Sequence, residues 1–369
     1  MRKSIRLRRT AAAVALMAVV ALAALGLAAC GGDETSAESG PPASDTTDTI
    51  VGAGASFPYP LYSKWGSEYA GLTDVKLNYQ SIGSGGGISA ITAKTVDFGA
   101  SDSPLEPTEL EDAGLVQWPQ CVGGVVMIVN LEGIESNELR LTGELIAKIY
   151  NGDITDWGDP AIAAVNKGVK IPSGKISVVH RSDSSGTTWI FTSYLAAAAG
   201  DVWTLGGEKE IAWPTGVGGK GNEGVAASVQ QLKGSIGYVE YAYAEEAGLA
   251  TTQVQNADGE WVKPSLETFT QAAAQADWAG AEDFYVVLVN QPGATTWPIT
   301  GASFILTQKE QADAGRAQTM LKFFDWAFTQ GGAAAEELNY VPLPESVYTL
   351  IESEWEKSIT AAGGPVWPL

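Results

Sequence analysis

Within eight residues, Arg181-Ser182-Asp183-Ser184-Ser185-Gly186-Thr187-Thr188 brings together a guanidinium, a carboxylate and several hydroxyls. A helix pattern starts immediately afterwards. This combination suits a small anion. The guanidinium supplies charge and a planar fork, the hydroxyls donate, and the first N–H groups of a helix have no partner of their own. Two more turns have the same character. Gly52 to Pro58 reads GAGASFP and Ser81 to Gly87 reads SIGSGGG. Pro58 suits the first position of a helix, where its missing N–H is no loss. Consecutive glycines at Gly85, Gly86 and Gly87 let a ligand approach the backbone. One such turn is an ordinary helix cap. Three in one chain, each between a strand pattern and a helix pattern, suggest an anion site shared between domains.

Other chemistries find little support. No G-x-x-x-x-G-K-[ST] loop is present, so ATP binding is not indicated. Gly52-x-Gly54 lacks the third glycine of a dinucleotide loop. His180 is the single histidine, which rules out multi-histidine zinc sites, and it reads as structural. Gly83-Ser84-Gly85 is too short for the serine elbow of a hydrolase. No catalytic residue, metal or cofactor is therefore assigned. The formal net charge of -21 argues against nucleic acid, whose backbone needs a basic footprint. It argues equally against an anionic membrane surface. A small buried anion is compatible with that charge, because local N–H and O–H donors and one guanidinium can hold it.

The elements that must position these turns alternate in type. Strand patterns run over 75–81, 96–101, 122–130, 176–181, 235–241 and 302–307. Helix patterns run over 58–69, 87–94, 187–198, 223–232 and 317–329. Such alternation indicates α/β architecture. Tyr62, Trp65, Trp189 and Tyr238 read as packing residues, and Cys121 as a small buried one.

The N-terminus reads as an address. Five positive charges lie in the first nine residues, and Ala11 to Ala29 is almost wholly apolar. That is the layout of a secretory signal, assigned to residues 1–29. It ends Leu27-Ala28-Ala29-Cys30, which resembles the lipobox of bacterial lipoproteins and makes Cys30 the expected lipidation site. Residues 31–49 contain no aromatic or large aliphatic side chain. They read, with Cys30, as a flexible tether spanning 30–49 that reaches about 60 Å when extended.

The turns and their surroundings resemble the phosphate-binding proteins of bacterial phosphate-specific ABC transporters. The matching stretches are GAGASFPYPLYSKW at 52–65, NYQSIGSGGGISAI at 78–91, TVDFGASDSPL at 95–105 and VVHRSDSSGTTWIFTSYL at 178–195. GVGGKGNEGVAASVQQLKGSIGYVEYAYA at 216–244, WPITGASFIL and LKFFDWAF follow in order. The resemblance implies a two-domain, periplasmic-binding-protein-like clamp of type II, with the ligand cleft between the domains and two crossing strands. Domain one would be 50–127 plus 300–369 and domain two 128–299, with the crossings inside 123–130 and 297–306. It further implies extracytoplasmic binding of inorganic phosphate and delivery to membrane permease subunits. The protein would be monomeric and anchored by lipid at the outer face of the cell membrane.

Carried over position by position, the implied phosphate ligands are Ser56, Phe57, Ser84, Asp102, Arg181, Asp183, Ser185, Gly186 and Thr187. Phe57 and Gly186 would donate backbone N–H groups, and Asp183 would pair with Arg181. The family often has threonine where this chain has Ser56, so the hydroxyl is kept. On the residues alone Asp102 is equally an N-cap or turn aspartate before Pro104. Beside an anion it makes sense if the anion carries a proton, because phosphate can donate to a carboxylate and fully ionised sulfate cannot. This argument opposes sulfate and molybdate but leaves arsenate open. A secreted phosphatase and a sensory lipoprotein are the competing functions.

Overall fold

The structure is a computed structural model and describes residues 48–368. The leader, Cys30 and the tether up to residue 47 lie outside the described residues. Nine strands of the described chain share one mixed sheet. They are β1 (Thr49–Gly54), β2 (Lys76–Ser81), β3 (Phe98–Ser101), β4 (Leu115–Asn130), β5 (Ser177–Arg181), β6 (Val217–Gly219), β7 (Ser235–Glu240), β8 (Ala250–Thr251) and β9 (Thr300–Gln308). Their order is β2-β1-β3-β9-β4-β7-β5-β6, with β8 also pairing β4. One group, β2-β1-β3, is parallel, as are β7-β5-β6, while β9 and β4 run antiparallel between them.

Strand β4 is the crossing element. Its first part, Leu115 to Gly124, pairs with β9, and from Val125 to Asn130 it pairs with β7. It changes partner next to the return chain, where the Val125 N–H reaches the Ile299 carbonyl at 2.8 Å. The Trp297 indole N–H reaches the Val125 carbonyl at 2.9 Å. Both positions fall inside the expected crossing stretches. The strand is nearly continuous in buried apolar residues, as a strand covered on both faces must be. The pattern at 122–130 covers only its second part, because Pro119 and two glutamines interrupt the first.

Helices cover the sheet. Tyr59–Thr73 buries Leu61, Tyr62, Trp65 and Tyr69. Gly186–Ala199 buries Ile190, Phe191, Tyr194 and Leu195. The packing residues expected from the sequence are inside, except that Trp189 is only half-buried. Pro58 stands at the N-cap of the first helix rather than at its first turn, a position that Tyr59-Pro60 occupies. Cys121 is a buried free thiol. His180 lies flat on Trp213 with ring centroids 4.9 Å apart, and its Nδ1 pairs with the Arg181 carbonyl.

One glycine sets how closely the site is built. The helix Ser84–Thr92 rests on β1 and β3 at Gly87. A Cβ there would come within 2.6 Å of the Gly54 Cα and 2.7 Å of the Ala100 carbonyl oxygen, both backbone. Gly87→Ala should therefore lift the helix off the sheet and cost about 2–3 kcal/mol of stability, read as a lower urea midpoint at unchanged slope. Because the same helix begins with Ser84, anion binding should weaken with it.

Candidate functional site

The three turns expected to hold an anion meet. Each follows the carboxyl end of a parallel strand, the position where open α/β sheets bind ligands. Ser84 opens its helix with Gly83 at φ +85°, which glycine adopts without strain. The Ser84 hydroxyl oxygen accepts from the Gly186 N–H at 3.0 Å and the Asp102 N–H at 3.3 Å. The Gly85 N–H reaches the Ser184 carbonyl at 3.1 Å. Side-chain bulk at Gly186 would break this meeting, since a Cβ would lie 2.6 Å from the Ser84 Oγ and 2.7 Å from the Asp102 N.

Arg181 ends β5 almost wholly buried. Its Nε donates to Asp183 Oδ1 at 2.8 Å and its Nη2 to Oδ2 at 2.6 Å, a bidentate fork. Nη1 donates to Thr187 Oγ1 at 3.3 Å. Burial pulls the guanidinium pKa down, but the Asp183 carboxylate more than restores it. Burial likewise pushes Asp183 up, and Arg181 with the Gly221 N–H holds it below the usual carboxylate range. Ser185 caps the helix, its hydroxyl oxygen accepting from the Thr188 N–H at 3.0 Å.

Asp102 is 1% exposed. Its Oδ1 accepts from the Ser303 hydroxyl at 2.9 Å, and the Thr187 side chain lies near enough to favour its ionised form. Burial drives its pKa up to about 7, against the pull of Ser303, Arg181 and Thr187. It caps no helix, for the next one is capped by Glu106. Asp102 lies in the bend that leads from β3 to Pro104, with its carboxyl buried and turned toward Ser303.

Ser56 and Phe57 complete the group. Ser56 is buried, and its carbonyl accepts from the Tyr243 hydroxyl at 2.6 Å. The Phe57 carbonyl accepts from the Tyr340 hydroxyl, also at 2.6 Å. Ser56 is joined to the Arg181 turn through Asn222, whose amide nitrogen lies 2.9 Å from Ser56 Oγ and 3.2 Å from Thr187 Oγ1.

Two participants lie outside the expected set. Ser303 lies in the apolar run Ala302-Ser303-Phe304-Ile305, where a lone hydroxyl on β9 gives no signal without its neighbour. Asn222 is wholly buried and contacts Ser56 and Thr187. It does carry a signal: Gly219-Lys220-Gly221-Asn222 is a fourth glycine-rich turn between a strand and a helix. Among the described residues no group of three or more His, Cys, Asp or Glu side chains could hold a metal ion. No helix there is long and apolar enough to cross a membrane.

Comparison with known proteins agrees with this geometry. A family profile described as a PBP superfamily domain matches residues 39–330. A phosphate-binding protein PstS of Xylella fastidiosa is 51% identical over 319 residues, covering 85% of this chain and 87% of that relative. One of the same name from Haemophilus influenzae is 50% identical over 313 residues, covering 85% and 94%. Among solved structures, a high-affinity periplasmic phosphate-binding protein bound with phosphate superposes at TM-score 0.70 and 22% identity, covering 85% of this chain and 96% of that one. A phosphate-binding protein from Stenotrophomonas maltophilia superposes at 0.66 and 21% identity, covering 86% and 97%. The solved structures share the fold, a curled mixed sheet with crossing strands of the type II periplasmic-binding-protein kind.

Proposed function

The chain belongs to the phosphate-binding protein family of the PBP superfamily, and from that membership we propose that it captures inorganic phosphate outside the cytoplasm and delivers it to an ABC importer. The observation that carries the reading is Asp102. A buried carboxyl stands among hydroxyl, amide and guanidinium donors, which suits a tetrahedral anion that brings its own proton. Binding, not turnover, is the activity, and ATP hydrolysis belongs to other subunits of such importers.

Ser56, Ser84, Ser185 and Thr187 supply hydroxyl donors, Phe57 and Gly186 backbone N–H groups, and Arg181 the positive charge, with Asp183 fixing the guanidinium. Several contacts support a clamp made of 50–127 plus 300–369 and of 128–299. Ser84 with Gly186, Gly85 with Ser184, Ser56 with Tyr243 and Tyr340 with Glu240 each join one proposed lobe to the other. A ligand between them would favour closure through its contacts with both sides, and closure presents a new surface to the permease. The protein works as a monomer, tethered through lipidated Cys30. Cys30→Ser should release it from the membrane fraction.

Calorimetric titration of phosphate-stripped protein with inorganic phosphate tests the central claim. The expected result is saturable one-to-one binding without hydrolysis of phosphomonoesters. A folded, stripped protein that gives no phosphate isotherm would sink the reading.

A further inference from the structure

We infer that Asn222 is a positioning residue of the anion site, one that makes the hydroxyls of Ser56 and Thr187 act only as donors. The inference rests on the phosphate reading and adds a residue to it. The orientation of the Asn222 amide is fixed by the backbone. The Glu240 N–H points at it across 3.0 Å, and an N–H needs an acceptor, so the amide oxygen faces Glu240. The amide nitrogen therefore faces the other way, toward Ser56 Oγ at 2.9 Å and Thr187 Oγ1 at 3.2 Å. Its two hydrogens serve one hydroxyl each.

A hydroxyl has two lone pairs and one hydrogen. Ser56 Oγ also accepts the Asn222 backbone N–H at 3.1 Å, so both of its lone pairs are engaged by one residue. Thr187 Oγ1 accepts Asn222 on one side and Arg181 Nη1 on the other. Each oxygen, filled as an acceptor, can only donate. The Ser56 hydrogen is left for an anion oxygen, and that of Thr187 for an anion oxygen or Asp102. Ser84 is filled in the same way by two backbone N–H groups, so the site reaches one end by two routes. With its donors fixed in advance, the site need not reorient hydroxyls when the anion arrives.

Glycine and packing hold Asn222 in place. Gly221 before it has φ +70°, and its N–H reaches Asp183 Oδ1 at 3.2 Å, tying this turn to the guanidinium fork. Asn222 is the second residue of the helix Gly221–Gln231, whose Val225 and Val229 are wholly buried.

The test is phosphate titration of the full chain, purified in detergent, with Asn222→Leu and Asn222→Asp. Asn222→Leu removes the donors without adding charge and should weaken phosphate binding roughly hundredfold, the value of two misdirected hydrogen bonds to a charged group. In a Ser56→Ala, Thr187→Val background the same change should cost less than about threefold, because its targets are gone. Asn222→Asp turns a donor into an acceptor that captures both hydroxyl hydrogens. Its deficit relative to the parent chain should be largest at pH 8 and narrow toward pH 5, as the new carboxyl gains a proton. A full Asn222→Leu loss in the hydroxyl-free background would overturn the inference, since a purely structural residue behaves that way. If Asn222→Asp fails to fold, the Leu cycle decides alone. A parent chain silent toward phosphate would instead overturn the functional reading beneath it.

Discussion

Asp102→Asn should shrink the preference for phosphate over sulfate by about a thousandfold. The carboxyl is buried, with one oxygen engaged by Ser303 and Thr187 in reach. In its ionised form it has only lone pairs to offer an anion. Phosphate answers with an O–H, and a charge-assisted hydrogen bond forms. Sulfate has no hydrogen to give, so two acceptors face each other away from water. Asparagine removes both effects. It forfeits the charge-assisted bond, weakening phosphate about tenfold, and it offers sulfate an amide N–H, strengthening it by roughly two orders of magnitude. Paired calorimetric titrations with the two anions read the ratio directly. Unchanged sulfate rejection in the variant would move discrimination elsewhere in the site.

The same carboxyl gives the discrimination a pH dependence. Its pKa is raised to about 7. Below that value the free site carries the proton itself, and a protonated Asp102 can donate to sulfate. Above it, sulfate must bind together with a proton, so its affinity should fall tenfold per pH unit. Monohydrogen phosphate brings its own proton and should show no such fall. Sulfate competition should therefore be strongest in acid and vanish in mild alkali, and Asp102→Asn should flatten the profile. The sign for stability agrees. A carboxyl with a raised folded pKa favours the native state below its unfolded pKa, and that contribution is lost as pH rises through about 7.

Much of this site is legible in the sequence because its parts are local. Arg181 to Thr187 carries charge, hydroxyls and a helix start in one turn, and the glycines of 83–87 announce a close backbone approach by their spacing alone. Those turns do meet, through Ser84 with Gly186 and through Asn222 with Ser56 and Thr187. Strand β1 hides inside a glycine turn, because Gly52 and Gly54 mask a strand whose neighbours are small. The first part of β4 escapes the strand pattern at Pro119, which an edge-free strand accommodates at the irregular step opposite Ser303 and Phe304. What a sequence does not show is pairing across distance. Ser303 matters only because Asp102, 201 positions away, turns its oxygen toward it. Asn222 matters because Ser56 and Thr187 arrive from other turns. The environment that lifts the pKa of Asp102 is likewise a product of burial, which a turn sequence does not encode.

Arg181→Met should lower phosphate affinity by at least about a thousandfold and destabilise the stripped protein by about 3 kcal/mol. The two losses have different origins and can be separated. Arg181 joins the Asp183 fork, through Nε and Nη2, to Thr187, through Nη1. Without it, the Asp183 carboxylate, 13% exposed, keeps the Gly221 N–H but loses its counter-charge. That unpaired charge is the source of the instability. An arriving phosphate, which carries roughly two negative charges at neutral pH, would meet Asp102 and Asp183 with no cation between them. That repulsion is the source of the lost affinity. Removing the second carboxylate as well, in Arg181→Met with Asp183→Leu, should recover most of the stability, as apolar replacement of a buried pair commonly does. It should recover little of the affinity, because no guanidinium has returned. Arg181→Lys should divide the effects the other way: a point charge keeps Asp183 paired and the fold stable, but it cannot span Asp183, Thr187 and the anion at once. Urea melts of phosphate-stripped protein beside phosphate titrations of all three variants measure both quantities. If stability and affinity rise and fall together across the series, Arg181 serves the fold and binding only follows.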